Sequence, residues 1–77
     1  MTLTEFIASC IWDGIEVTFK RPDYVNPSMM IVSLRKSLGD KYAKLDTEFD
    51  TIYLKEDYWQ HLRNRFVREV EKLNSGK

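Results

Sequence analysis

IEVTFK, residues 15–20, alternates without a break. Ile15, Val17 and Phe19 fall on one side of an extended chain, and Glu16, Thr18 and Lys20 on the other. A period of two is the signature of a half-buried β-strand, and a strand carries backbone amides and carbonyls that need a neighbour. The nearest candidate follows Pro27, where Met30, Val32 and Leu34 alternate with Ser33 and Arg35 and where Ile31-Val32 are β-branched. The same stretch has a second reading. Asn26-Pro27 is a good helix opening, since Asn accepts a bond from a free amide and Pro is pre-set for the first helical position; Met30, Ile31, Leu34 and Leu38 would then form the apolar face. The need for a partner to residues 15–20 favours the strand, with RPDYVNPS as the loop of a first hairpin. Whether residues 27–38 are strand or helix stays open in the sequence.

SLGD, residues 37–40, supplies the next turn, and residues 41–49 read as a third strand. Ala43, Leu45 and Phe49 would face the core, with Tyr42, Lys44, Asp46 and Glu48 facing away.

Helices are expected at both ends. In TLTEFIASCIWDG, Thr2 and Glu5 have capping-box spacing, Leu3, Phe6, Ile7, Cys10 and Ile11 recur at i, i+3, i+4, i+7 and i+8, and Gly14 marks the stop. In KEDYWQHLRNRFVREVEKL, Trp59, Leu62, Phe66, Val70 and Leu73 make an apolar stripe, with Glu56 and Asp57 in the first turn and Lys72 in the last. The fold class expected is α+β: one small αβββα domain over residues 1–77, a three-stranded antiparallel meander with both helices packed on one face.

A chain of 77 residues builds one modest core at most. Lone Cys10 has no intramolecular disulfide partner and lies on the apolar stripe of its helix, as a small buried hydrophobe would. No signal-peptide pattern is visible and no apolar run has the length of a membrane span, so a cytoplasmic setting and no membrane partner are expected. The 12 basic and 12 acidic side chains balance. They balance locally too: residues 1–38 hold Lys20, Arg21, Arg35 and Lys36 against Glu5, Asp13, Glu16 and Asp23. Nonspecific binding to nucleic acid or an anionic membrane therefore lacks its usual driving force.

Two surfaces stand out. If Met30, Val32 and Leu34 face inward, Met29 and Ile31 point outward beside Tyr42, in a ring of Glu16, Lys20, Arg35, Lys44 and Glu48. With Asp23 and Tyr24 of the long loop, this is the expected protein-binding surface, or a face covered by a second copy in a homodimer. The other is a basic ridge on the last helix, His61, Arg65, Arg68 and Lys72, which would offer phosphate contacts to nucleic acid. Glu69 and Glu71, at i+4 from Arg65 and i+3 from Arg68, are placed to neutralise part of it.

Catalytic chemistry finds little to work with. His61 is the only histidine, and no glycine-rich phosphate loop, serine elbow or paired metal ligands occur. DTEFD, residues 46–50, opens like a calcium loop but has Thr51 where glycine belongs and Asp57 where the bidentate Glu belongs. No enzyme activity, metal or cofactor is expected.

The succession TLTEFI, DGIEVTFK, MMIVSLRK, DKYAKL and an aromatic amphipathic helix resembles small phage-encoded αβββα proteins of the anti-CRISPR inhibitor kind. That resemblance implies a non-catalytic phage or mobile-element protein that binds and inhibits or modulates a larger protein, such as a host defence component. The layout also resembles the double-stranded-RNA-binding domain, whose last helix opens on a phosphate-gripping lysine cluster; here LKEDYWQ puts Glu56 and Asp57 there, and carboxylates repel phosphate.

Overall fold

The computed structural model describes residues 1–21, 30–49 and 55–75. The order is α1 (Leu3–Trp12), β1 (Glu16–Lys20), β2 (Met30–Leu38), β3 (Lys41–Phe49) and α2 (Glu56–Ser75), an α+β layout. The three strands form one antiparallel sheet in the order β1-β2-β3. The segment after Pro27 is thus a strand from Met30 onward, the alternative that the need of residues 15–20 for a partner favoured. Residues 22–29, and with them Asp23, Tyr24 and Met29, lie outside the described residues.

Helix α1 is fixed at both ends by local chemistry. The Thr2 hydroxyl accepts from the Glu5 amide and donates to the Glu5 carboxylate, each at 3.2 Å. At the other end Gly14 takes φ +71°, the Ile15 amide donates to the Cys10 carbonyl at 2.8 Å and the Gly14 amide to the Ile11 carbonyl at 3.1 Å. These are the paired bonds of a Schellman motif, and its usual apolar contact is present because Cys10 and Ile15 are both buried in one cluster. The motif turns the chain directly from helix into β1.

Register places every side chain of the sheet. Val17 lies opposite Leu34 and Phe19 opposite Val32; Leu34 lies opposite Leu45 and Val32 opposite Thr47. Leu38 and Lys41 close the β2-β3 hairpin around Gly39-Asp40. Gly39 has φ +62° and, among the described residues, no non-glycine residue has positive φ, the pattern of a type II′ turn.

The core is a single cluster on one side of that sheet. Val32, Leu34, Ala43 and Leu45 meet Phe6, Cys10 and Ile15 from the first part of the chain and Trp59, Leu62 and Phe66 from α2. Phe6 and Trp59 pack at 5.1 Å between ring centroids, and Phe19 meets Trp59 edge-on at 6.4 Å. Both helices therefore cover the same face, and among the described residues the other is open. Val70 and Leu73 are half-buried against the cluster, which continues the α2 stripe outward.

The apolar face of α1 is narrower than its sequence periodicity implies. Phe6 and Cys10 are fully buried and Ile7 partly, but Leu3 is exposed and Ile11 is 70% exposed. A ten-residue helix beside a small sheet touches its neighbours along one line, and Ile11 sits about 100° round the helix from Cys10, beyond that line.

Adding a side chain to Gly14 meets no atom within 4 Å, so the cost of Gly14→Ala comes from the left-handed backbone alone. The expected loss is about 1 kcal/mol, measured as a lower urea midpoint with an unchanged m-value. Phe66→Ala, which empties the centre of the core, should cost about 3–5 kcal/mol.

Candidate functional site

The end of α1 carries the largest exposed apolar group described. Trp12 is 89% exposed beside Ile11. The backbone beneath them is fixed, by the Schellman bonds and by an ion pair between Asp13 and Arg63 of α2. Asp13 caps α1 at its C-terminal end, where the helix dipole disfavours a carboxylate, so the Arg63 guanidinium offsets an unfavourable placement. Arg63 also donates to the Cys10 sulfur at 3.7 Å. Burial pushes the Cys10 thiol up from its ordinary value, while the Arg63 charge and hydrogen bond act in the opposite direction. Cys10 is thus a core residue with a protonated thiol.

On the open sheet face, Glu16, Thr18 and Lys20 of β1 sit beside Arg35, Ser33 and Ile31 of β2, and these beside Lys44, Asp46 and Glu48 of β3. The Ser33 hydroxyl donates to Asp46 at 2.5 Å and Lys44 pairs with the same carboxylate at 3.3 Å. Both hold the Asp46 carboxyl below its usual range, the Ser33 hydrogen bond contributing most. The Arg35 guanidinium lies 4.6 Å from the centre of the Tyr42 ring, and Tyr42 is 53% exposed.

Ile31 and Tyr42 share this face without forming a patch. Ile31 is opposite Glu48 whereas Tyr42 is opposite Ser37, six positions along β2 and about 20 Å away. Period two alone puts both outward; only the register separates them. The centre of the face is polar, occupied by Ser33, Lys44 and Asp46.

His61, Arg65, Arg68 and Lys72 are all exposed on α2. Arg65, Arg68, Glu69 and Lys72 line one shallow depression of about 190 Å³. The neutralising pairs differ from those expected by spacing: Glu69 pairs with Lys72 at 3.6 Å, and among the described residues neither Arg65 nor Arg68 has an ion pair. A groove of about 300 Å³ lined by Leu3, Phe19, Met30 and Trp59 lies between α1, the sheet and α2.

Neither Trp12 nor Arg63 is among the site residues expected from the sequence, although each leaves a signal in it. Trp12 falls outside the i, i+3, i+4, i+7, i+8 series of its helix, an aromatic on the wrong side. Arg63 stands at i+4 from Trp59 and i−3 from Phe66, a cation on an apolar stripe that requires a partner.

No protein-family model, curated protein or solved structure matches the chain. Among the described residues no group of His, Cys, Asp and Glu could hold a metal ion, and no helix is long and apolar enough to cross a membrane.

Ser33→Ala should raise the Asp46 carboxyl toward its ordinary value in a carboxyl-detected NMR titration. Because folding lowers this group, its contribution to stability is present above the unfolded carboxylate value and is lost as pH falls through the lowered one. The variant should therefore narrow the difference in stability between neutral and acid pH. Cys10 should resist alkylation in the folded protein and react at the rate of unfolding.

Proposed function

We propose that this chain is a non-catalytic protein-binding module that inhibits or modulates a larger protein by occupying part of its surface. The observation that carries the reading is Trp12, almost fully exposed on a helix end that is held by two backbone bonds and an ion pair. A large aromatic on a pre-ordered backbone loses little conformational freedom on binding, and Trp is the residue type most often found at the energetic centre of an interface. Ile11 extends the apolar area beside it.

Tyr42 adds to the same end of the molecule. Its partner Ser37 lies beyond Arg35, the residue opposite the start of β1, so Tyr42 and the α1–β1 junction belong to one end of the sheet. The contact surface proposed is thus Ile11, Trp12 and Tyr42, with Ile31 at the far end of the face. The likeness in layout to phage-encoded inhibitors suggests a host defence component as the class of target.

A second reading is favoured by one observation, the two exposed arginines of α2 without carboxylate partners among the described residues. Arg65 and Arg68, with His61 and Lys72, would contact phosphates of a nucleic acid, and affinity would then fall steeply with salt.

Capture from host lysate with and without nuclease separates the two readings, and Trp12→Ser tests the first. The folded stability of this variant should change by no more than about 0.5 kcal/mol, since the side chain is hardly buried. Affinity for a nuclease-resistant partner should fall by about thirtyfold or more. Unchanged affinity would remove Trp12 from the interface, and loss of every partner on nuclease treatment would favour the arginine ridge.

A further inference from the structure

Strand β3 is nine residues long and lies at the edge of the sheet, with β2 on one side and, among the described residues, no strand on the other. Long edges are usually blunted by proline, a bulge or a charge pointing inward. None of these is present in the middle of β3. Ala43 and Leu45 are buried on the core side, Thr47 is half-buried, and the charges stand on the open face.

The order of those charges is self-complementary. A two-fold axis normal to the sheet and passing through Leu45 pairs β3 with its own copy running the opposite way, so each residue meets the one equally distant on the other side of Leu45. Lys44 then faces Asp46 of the second copy, Asp46 faces Lys44, and the Tyr42 phenol faces the Glu48 carboxylate. On the core side Ala43 meets Thr47, and Leu45 meets Leu45 across the axis.

Other registers fail on charge or length. Paired residues of antiparallel strands point to the same face, and moving the centre by one position sets Lys44 against Lys44 or Asp46 against Asp46. Centring on Thr47 opposes Asp46 and Glu48, and centring on Ala43 pairs only five residues.

We propose that β3 pairs with β3 of a second copy, in the register centred on Leu45, to form a continuous six-stranded sheet in a symmetric homodimer. This interface is isologous, as a two-fold axis requires. The Lys44–Asp46 pair within each protomer becomes half of a ring of four alternating charges. The Ile11–Trp12 surface plays no part in it, and Tyr42 alone is shared with the contact surface proposed above.

The outer edge of β1 is the competing site. Glu16 and Lys20 flank Thr18 with the same symmetry, but over five residues.

Sedimentation equilibrium of the full chain, from micromolar to millimolar concentration, tests the pairing, with circular dichroism confirming that each variant is folded. Wild type should approach the mass of a dimer. Lys44→Glu and Asp46→Lys should each raise the dissociation constant about tenfold or more, because each places like charges opposite one another twice. An equimolar mixture of the two variants should recover the dimer, since every opposed pair is then of opposite sign. An isotope-filtered NOE between Leu45 methyl groups of a mixed-labelled wild-type sample reports the same register without any substitution. A wild-type monomer at millimolar concentration would overturn the proposal. So would single reversals without effect, a mixture that does not recover, or a dimer dissolved by Glu16→Lys and untouched by Lys44→Glu.

Discussion

Val32 and Leu34 face one side of a strand that is paired on both edges, and the position of nearly everything else follows from that side. Sliding β2 by one residue would turn Ile31, Ser33 and Arg35 inward and would leave a guanidinium in an apolar core without a partner. The native register is therefore strongly preferred. Once it is set, Val17, Phe19, Ala43 and Leu45 share the side of Val32 and Leu34, and both helices pack there because among the described residues that is the apolar face of the sheet.

The small size of the chain shapes what remains outside. A small core needs only a thin line of contact from α1, and Phe6 and Cys10 provide it. Ile11 and Trp12 belong to the same helix but lie beyond the reach of the sheet. In a larger domain another element would cover them. Here they are exposed on a backbone whose conformation is fixed by Gly14 and by the ion pair of Asp13 with Arg63, which makes that end a ready-ordered apolar surface.

Most of the fold was legible because its signals are local. Alternation in residues 15–20 and 41–49, the Thr2–Glu5 cap, Gly14 and the α2 stripe each follow from a few neighbouring residues, and the strand after Pro27 followed from the need of β1 for a partner. The surface was less legible because it depends on register between distant segments. Period two puts Ile31 and Tyr42 on the open face, but only their opposite numbers, Glu48 and Ser37, reveal that they stand at its two ends. Likewise, the spacing of Glu69 allowed a pair with Arg65, whereas the side chain pairs with Lys72. Trp12, an aromatic off its stripe, and Arg63, a cation on one, were passed over. Each signal needed a partner fifty residues away or a known packing line before it could be interpreted.

The contact between Asp13 and Arg63 spans fifty positions, and Phe6 reaches Trp59 across slightly more. A ribosome releases the chain from its N-terminus, so α1 and the sheet leave the exit tunnel ahead of α2. Until α2 emerges, the apolar faces of α1 and the sheet lack its cover, and the Cys10 sulfur is open to reagents that burial excludes in the folded protein. The nascent chain is consequently exposed to misassociation and thiol chemistry over the interval before α2 leaves the ribosome, and those hazards end together when Arg63 and Phe66 come into place.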